Sequence, residues 1–491
     1  MDDDEGRGER YAPHALSFSI DLDSASWSML KGHRGEVLSL DILGLERAGT
    51  GRDASGMVLL ASGGEDSTCR VWDVAAGRAI KCYTGMFEDN EGVGAVAFVD
   101  ASRLLAATST SIYELDLNFP GVVVREALGT LPSVTNDEIN QVAVHPRKGN
   151  NHVAVADDSG TVTLLDSSVR PPKPIRTLRR SSDNYDLCTC VAFRPRVPYD
   201  LACGFHSTCT VGLWDFSKGQ KGCRAVDVSA AAVGEGECED DDPTIAPSAA
   251  SSCQLFNPPY VNSLAFSACG RWVAVGKGNG EVGIYDYVKG GGEGGGGGSG
   301  EAIAVLQGGH TTSVAGVVFL DMGVGEERGE GKGKSRRKKG RGGGGGREEV
   351  AFLASVGNDR MLNFWECSLP RLAGNCSSNS IKSNTNFNSN SSKLRRPRIL
   401  KQFTDLPGKP NWMVSTVLMS DSAATVAPAA ATSQLEVRGE ENEEGGKEAG
   451  RGKGEDGVTQ RSLRVFVAMT TSEIAVLNVD ISVQRETHQQ S

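Results

Sequence analysis

Two stretches of the chain combine residue types used in acid–base chemistry. Gly32-His33 is followed by Ser62, Asp66 and Trp72, and Gly309-His310 by Ser355, Asp359 and Trp365. In both copies, "LASGGEDSTCRVWDV" (60–74) and "LASVGNDRMLNFWE" (353–366), the Ser stands four places before the Asp and the Asp six before the Trp. An imidazole held against a carboxylate is a general acid/base pair. However, the set occurs twice, and neither copy has a nucleophile next to it. Repetition points to architecture, so no residue is assigned a catalytic role and the chain reads as a non-enzyme.

Other chemistries fare no better. Gly333-Lys334-Ser335 resembles the end of a phosphate-binding loop, but Arg328 stands where the upstream Gly belongs and no strand–helix context surrounds it. "GKGNGEVG" (276–283) is Gly-rich, yet reads as a hairpin turn with no helix N-terminus to hold pyrophosphate. His145, His152 and His206 are isolated, and Cys188-Thr189-Cys190 is too tight for a zinc pair, so neither a metal nor a cofactor is expected. Asn375-Cys376-Ser377 and Asn390-Ser391-Ser392 match the glycosylation sequon, but without a signal peptide they would not meet that machinery. "GKSRRKKGRGGGGGR" (333–347) could serve as a nuclear signal or contact RNA phosphates, but no aromatic residue is interleaved to stack bases. It reads first as a solvated loop.

The elements that must position these residues are strands. The chain has 491 residues, of which 62 are Gly and 38% hydrophobic, enough for one substantial core once low-complexity filler is set aside. A net charge of −11 argues against a surface that coats nucleic acid or anionic membrane. The 12 cysteines lack paired spacing; Cys69, Cys203 and Cys209 sit in apolar strand-like runs, as in a reducing compartment. "MDDDEGRGER" is acidic and no stretch approaches eighteen apolar residues, so a cytoplasmic or nuclear location is expected, without membrane spans.

Aligning on the opening motif gives five further copies, at 104–117, 152–166, 201–216, 272–287 and 465–480. Each has two alternating apolar runs about a turn rich in Gly, Ser, Asn or Asp, the signature of a β-hairpin. A further strand-like stretch precedes each, among them "EVLSLDIL", "EINQVAVHP", "VNSLAFSACG" and "NWMVSTVLM". The period, about forty residues where nothing intervenes, is that of a four-stranded propeller blade. The reading is therefore all-β: a seven-bladed β-propeller over 11–480 between an acidic N-terminus (1–10) and a tail (481–491). Five segments, 222–254, 289–300, 323–349, 374–393 and 421–460, cannot bury enough apolar surface to offset their ordering entropy and are expected to be disordered insertions.

These repeats, with their Gly-His, Ser, Asp and Trp, resemble the WD-repeat family. The resemblance implies one buried hydrogen-bonded tetrad of His33, Ser62, Asp66 and Trp72 and another of His310, Ser355, Asp359 and Trp365. Ser109, Ser159, Thr208, Asn279 and Thr471 stand where the other copies would carry Asp, so those blades are expected to rely on packing and strand pairing. Closing the ring assigns the stretch from Leu16 to Leu30 to the outer edge of the seventh blade, whose inner strands come from Asn411 to Asp480.

Further stretches at 137–166, 188–198 and 257–270 narrow the resemblance to a WD-repeat subfamily regarded as substrate receptors of cullin-4 RING ubiquitin ligases. It implies protein partners, including the ligase's damaged-DNA-binding adaptor, and a monomer within a complex. Such receptors commonly carry Trp-Asp-x-Arg at a blade end. Here Ala75, Asn118, Ser168, Ser217, Val288, Ser368 and Ile481 hold the corresponding positions, so no copy supplies the Arg. The alternative is an RNA- or ribosome-associated scaffold using the basic loop at 328–347. A propeller enzyme would need carboxylates or His along the inner strands, which are mostly Val, Ala, Leu and Phe, with Asp137 and Glu138 as exceptions at one entrance.

Overall fold

The computed structural model describes residues 16–43, 58–180, 186–229, 257–287, 302–320, 348–370, 396–419 and 459–485. Apart from short 3-10 turns at Glu88–Asn90 and Phe216–Gly222, their regular structure is strand. No helix among them is long and apolar enough to cross a membrane.

The strands form seven antiparallel sheets, the blades of a β-propeller. Blade 1 is built from Val37–Leu43, Leu59–Gly64, Thr68–Asp73 and Arg78–Thr84; blade 2 from Ala95–Phe98, Arg103–Thr108, Ser111–Asp116 and Gly129–Leu131. Blade 3 comprises Ile139–Val144, His152–Asp157, Thr161–Asp166 and Lys173–Arg179; blade 4 comprises Cys188–Phe193, Asp200–Phe205, Thr210–Asp215 and Cys223–Asp227. Blade 5 holds Val261–Phe266, Trp272–Lys277, Val282–Asp286 and Ala304–Leu306; blade 6 holds Val314–Phe319, Glu348–Gly357, Met361–Pro370 and Arg398–Phe403. In blade 7 the order is Pro410–Met419, Thr459–Met469, Glu473–Arg485 and then Leu16–Lys31, so the first strand of the chain is the outer strand of the last blade.

Two compact units are present. One, Trp27–Thr416 with Val465–Leu477, contains strands of all seven blades; the other, formed from Met1–Ser26, Val417–Arg464 and Asn478–Ser491, contains the remaining lengths of the four blade-7 strands. Within the first unit, no blade buries its own apolar face alone. Leu59, Val71 and Tyr83 of blade 1 share one cluster with Phe98, Leu104 and Leu115 of blade 2, and Ala154 and Leu164 of blade 3 share another with Phe193 and Trp214 of blade 4. This is why second strands such as Leu59–Gly64 are buried along their whole length and read as apolar runs rather than as alternation. Blade stacking makes the core.

The Asp that closes each of the first four copies is a turn-former: Asp73, Asp116, Asp166 and Asp215 each accept the backbone N–H of the residue two places on. Between second and third strands the chain passes through the left-handed region, at Ser67, Cys209 and Arg360 and at Gly160 and Gly280. At Gly160 a Cβ would also lie 2.2 Å from the Asp186 carbonyl oxygen, so glycine is required twice over.

Strand residues overrun four of the bounds that composition indicated. Cys223–Asp227, inside the expected 222–254 segment, is the outer strand of blade 4, paired with Thr210–Asp215. Residues 348–349 open Glu348–Gly357, 459–460 open Thr459–Met469, and 481–485 complete Glu473–Arg485. Strand ends carry polar residues that composition cannot tell from loop. Residues 1–10, 230–254, 289–300, 323–347, 374–393, 421–458 and 486–491 lie outside the described residues. Unforeseen was a fifth strand on blade 1, where Val123–Val124 pairs parallel to Cys82 and Tyr83.

Candidate functional site

In blade 1, register sets Ser62 on the second strand and Trp72 on the third two residue-pairs apart, with Leu60 opposite Trp72 and Ser62 opposite Arg70. The Trp72 indole N–H donates to Ser62 Oγ at 2.8 Å, and His33 Nε2 lies 2.8 Å from the same oxygen. His33 Nδ1 is 2.9 Å from Asp66 Oδ1, which also accepts from Thr68 Oγ1 at 2.7 Å, while Asp66 Oδ2 accepts the Arg34 N–H at 2.8 Å. In the neutral imidazole whose Nδ1–H faces the carboxylate, Nε2 accepts the Ser62 hydroxyl proton.

Blade 6 repeats the chain: Trp365 Nε1 to Ser355 Oγ 2.8 Å, His310 Nε2 to Ser355 Oγ 2.8 Å, His310 Nδ1 to Asp359 Oδ1 3.1 Å, and the Thr311 N–H to Asp359 Oδ2 2.7 Å. The glycine before each His lies against the Trp ring; a Cβ on Gly309 would come within 2.3 Å of Trp365 and one on Gly32 within 2.9 Å of Trp72. Burial raises the Asp66 pKa, but the hydrogen bonds from His33 and Arg34 outweigh it and hold the carboxyl down at about 2. Asp359 is lowered against the same burial by its bonds from His310 and Thr311.

These eight residues cannot serve acyl transfer. Ser62 and Ser355 are fully buried, and each Oγ is engaged by both an indole and an imidazole.

Two of the blades expected to lack a carboxylate have one in another place. In blade 3, Asp157, fully buried, accepts from the Thr161 N–H, Thr161 Oγ1 and Ser159 Oγ at 2.8–2.9 Å. In blade 4, Asp186 reaches from the preceding loop to the Ser207 and Thr208 N–H groups, at 2.6 and 3.2 Å, and to the Thr208 hydroxyl. Cys203 replaces the Ser there and takes the Trp214 indole N–H at 3.2 Å. The expectation that these blades depend on packing and strand pairing alone is thus corrected. The need is a carboxylate at the turn, and it can come from either side of it.

A second recurring device went unread in the sequence. The second residue of the innermost strand reaches a backbone carbonyl of the next blade: Asn140 Nδ2 to Cys188 O (3.1 Å), Thr189 Oγ1 to Val261 O (2.7 Å), Asn262 Nδ2 to Val314 O (3.5 Å) and Asn411 Nδ2 to Val37 O (2.9 Å). The last joins blade 7 to blade 1. Leu38, Gly94 and Ala315 hold the equivalent positions in blades 1, 2 and 6 and have no such donor. The signal, an Asn or Thr one place into "INQVAV", "CTCVAF", "VNSLAF" and "PNWMVS", is visible once the blades are superposed.

The innermost strands enclose a channel of about 260 Å³. All seven blades contribute, from Leu40 and Asp41 of blade 1 round to Trp412, Met413 and Val414 of blade 7. Two of its polar side chains bind the wall itself: Asp41 accepts the Phe98 N–H at 2.7 Å and Gln141 the Val191 N–H at 2.8 Å. Asp137 and Glu138 are exposed.

The single histidines are spent locally. His145 is buried, with Nε2 2.8 Å from Val197 O; His152 meets Asn150; His206 stacks on Tyr260 at 3.9 Å. Among the described residues no group of three or more His, Cys, Asp or Glu could hold a metal ion, and the nine described cysteines are free thiols. Cys209 lies in a turn rather than in a strand. Burial pushes the Cys190 thiol up to about 12. "GKGNGEVG" is the turn between Trp272–Lys277 and Val282–Asp286; Lys277 is wholly buried, 3.5 Å from Glu281, and burial lowers its ammonium's pKa.

Repeated hairpins, seven stacked blades and buried His–Ser–Trp chains are the features of a WD-repeat propeller, and the comparisons support that family. The family model "WD domain, G-beta repeat" matches residues 26–73 and 252–286, which hold most of blade 1 and the first three strands of blade 5. Within the family it resembles WD repeat-containing protein 53: the Dictyostelium discoideum homolog of that protein is 26% identical over 232 residues. That match covers 46% of this chain and 58% of the relative's length, so the chain spans under two thirds of it.

Proposed function

We propose that the chain is a non-catalytic scaffold that receives protein partners, and that its finer role is as a substrate receptor of a cullin-4 RING ubiquitin ligase. The observation that carries the scaffold reading is how the polar groups are used. The Ser–His–Asp sets are buried with their hydrogen bonds internal, and the named channel carboxylate and amide bind backbone of the wall. Such a body offers surfaces and loop ends for recognition, and the WD-repeat fold is one generally used that way.

The ligase role rests on the resemblance of the stretches at 137–166, 188–198 and 257–270 to a receptor subfamily. Docking on the adaptor would proceed without a Trp-Asp-x-Arg cation: Ala75, Asn118, Ser168 and Ser217 hold four of the corresponding positions, each N–H capped by the preceding Asp. Proximity labelling with the full chain in its native cell tests both levels. Enrichment of the cullin-4 adaptor supports the receptor role; other protein neighbours without it refute that role and leave the scaffold; no protein neighbours at all refutes both.

A further inference from the structure

The strand-end loops of blades 3 and 4 build a surface unlike the rest of this acidic chain. The loop at 145–151 is clamped to the loop at 194–199 by His145 Nε2 to Val197 O (2.8 Å) and Asn150 Nδ2 to Pro198 O (3.1 Å). Beside them an aromatic group assembles: His152 to Tyr199 5.9 Å, His152 to Phe216 5.1 Å and Tyr199 to Phe216 5.6 Å between ring centres. Arg176 joins the third blade's outer strand to the same place, donating to Phe216 O at 2.6 Å. One continuous surface results.

Its charge is one-sided. Arg147, Lys148, Arg176, Arg196, Lys218 and Lys221 are all exposed on it. Of the carboxylates nearby, Asp200 is engaged by Arg194 at 2.9 Å and Asp215 by Lys218 at 2.9 Å, leaving Asp166, capping Ser168. Exposed apolar side chains accompany the cations: Tyr199 is 47% exposed, and Val169 and Ile175 on the same blade-3 edge are 45% and 54% exposed. A chain with net charge −11 would gain solubility from carboxylates here, yet it gathers cations around an exposed aromatic ring.

We propose that this blade 3–blade 4 surface docks an acidic linear segment of a partner protein, its carboxylates facing the Arg/Lys ring and an aromatic or aliphatic side chain packing on Tyr199. The inference deepens the scaffold reading and rests on it. Nucleic acid fits less well: a single exposed aromatic ring is no series of stacking platforms, and exposed Val169 and Ile175 match apolar side chains rather than a phosphodiester backbone.

The test uses the full chain and a fluorescein-labelled Glu/Phe peptide, read by fluorescence anisotropy at low and high salt, with a Gln/Phe peptide and a uridine oligonucleotide as comparators. The wild type is expected to bind the Glu/Phe peptide and to lose affinity as salt rises. The Arg147→Glu/Lys148→Glu double variant is expected to bind about ten-fold more weakly at low salt. Tyr199→Ser weakens binding at both salts, while Arg360→Glu, exposed on blade 6, leaves it unchanged. The proposal falls if the wild type ignores the Glu/Phe peptide, binds the Gln/Phe peptide equally, or prefers the oligonucleotide. It also falls if Arg360→Glu weakens binding as much as the double variant. In proximity labelling, a wild type with partners that the double variant keeps unchanged refutes this site and spares the scaffold; a wild type without protein partners refutes the scaffold itself.

Discussion

Asn411→Ala removes the side-chain bond that spans from blade 7 to blade 1. The bond is 2.9 Å long and ends on the carbonyl of Val37, a residue with no exposed surface, so water cannot replace the lost donor without local opening. Leaving one partner of a buried hydrogen bond unsatisfied costs about 1–3 kcal/mol. If the seam opens as a sub-global unit, its amides exchange roughly 5- to 150-fold faster, at about 1.4 kcal/mol for each factor of ten. Hydrogen–deuterium exchange read by mass spectrometry should show this acceleration in peptides from 37–43, 410–416 and 465–477, with blades 3 and 4 unchanged. Asn262→Ala, which removes bonds to Ser313 Oγ at 2.6 Å and to Val314 O at 3.5 Å, should accelerate exchange at the blade 5–blade 6 seam instead. Acceleration spread evenly round all seven blades, or none above about two-fold, would refute the idea that these side chains latch individual seams.

Further outcomes follow from the same contacts. Asp66 titrates at about 2 in the fold, below its ordinary 3.8, so its contribution is complete above the higher value and is lost as pH falls through the lower; Asp66→Asn should therefore flatten urea stability measured between those two pH values. Gly309→Ala forces a Cβ to within 2.3 Å of the Trp365 ring and should cost about 1–3 kcal/mol in urea melts, whereas Gly32→Ala, with 2.9 Å to Trp72, should cost less. Glu114, buried, is paired with Arg103 at 3.4 Å, and Arg103 in turn donates to Ser167 O of the next blade and to Asp100, both at 2.8 Å; Glu114→Ala should destabilise by about 1–3 kcal/mol, against a smaller loss for Glu114→Gln, by the same melts.

Much of the propeller was legible because period-two alternation and a forty-residue repeat are local signals. The roles of His33, Asp66 and their blade-6 counterparts came from resemblance, and the distances now give those residues a chemistry. What escaped reading was non-local. Asp157 and Asp186 satisfy the turn from positions two residues before and some twenty residues upstream of the one compared, so a column-by-column reading records only Ser159 and Thr208. Asn140, Thr189, Asn262 and Asn411 act on the neighbouring blade, which one blade's pattern cannot reveal. The strand at Val123–Val124 pairs with blade 1 although the chain around it builds blade 2. The basic–aromatic surface is dispersed over four segments of blades 3 and 4, none of them conspicuous alone.

The central claim is that the chain's first strand, Leu16–Lys31, completes the seventh blade and with it the ring. Deleting residues 1–31 and following thermal unfolding beside the full chain tests it most directly. The account predicts an aggregated product or a broadened transition at much lower temperature; a soluble, monomeric truncation that melts with the full chain's midpoint and sharpness would contradict it.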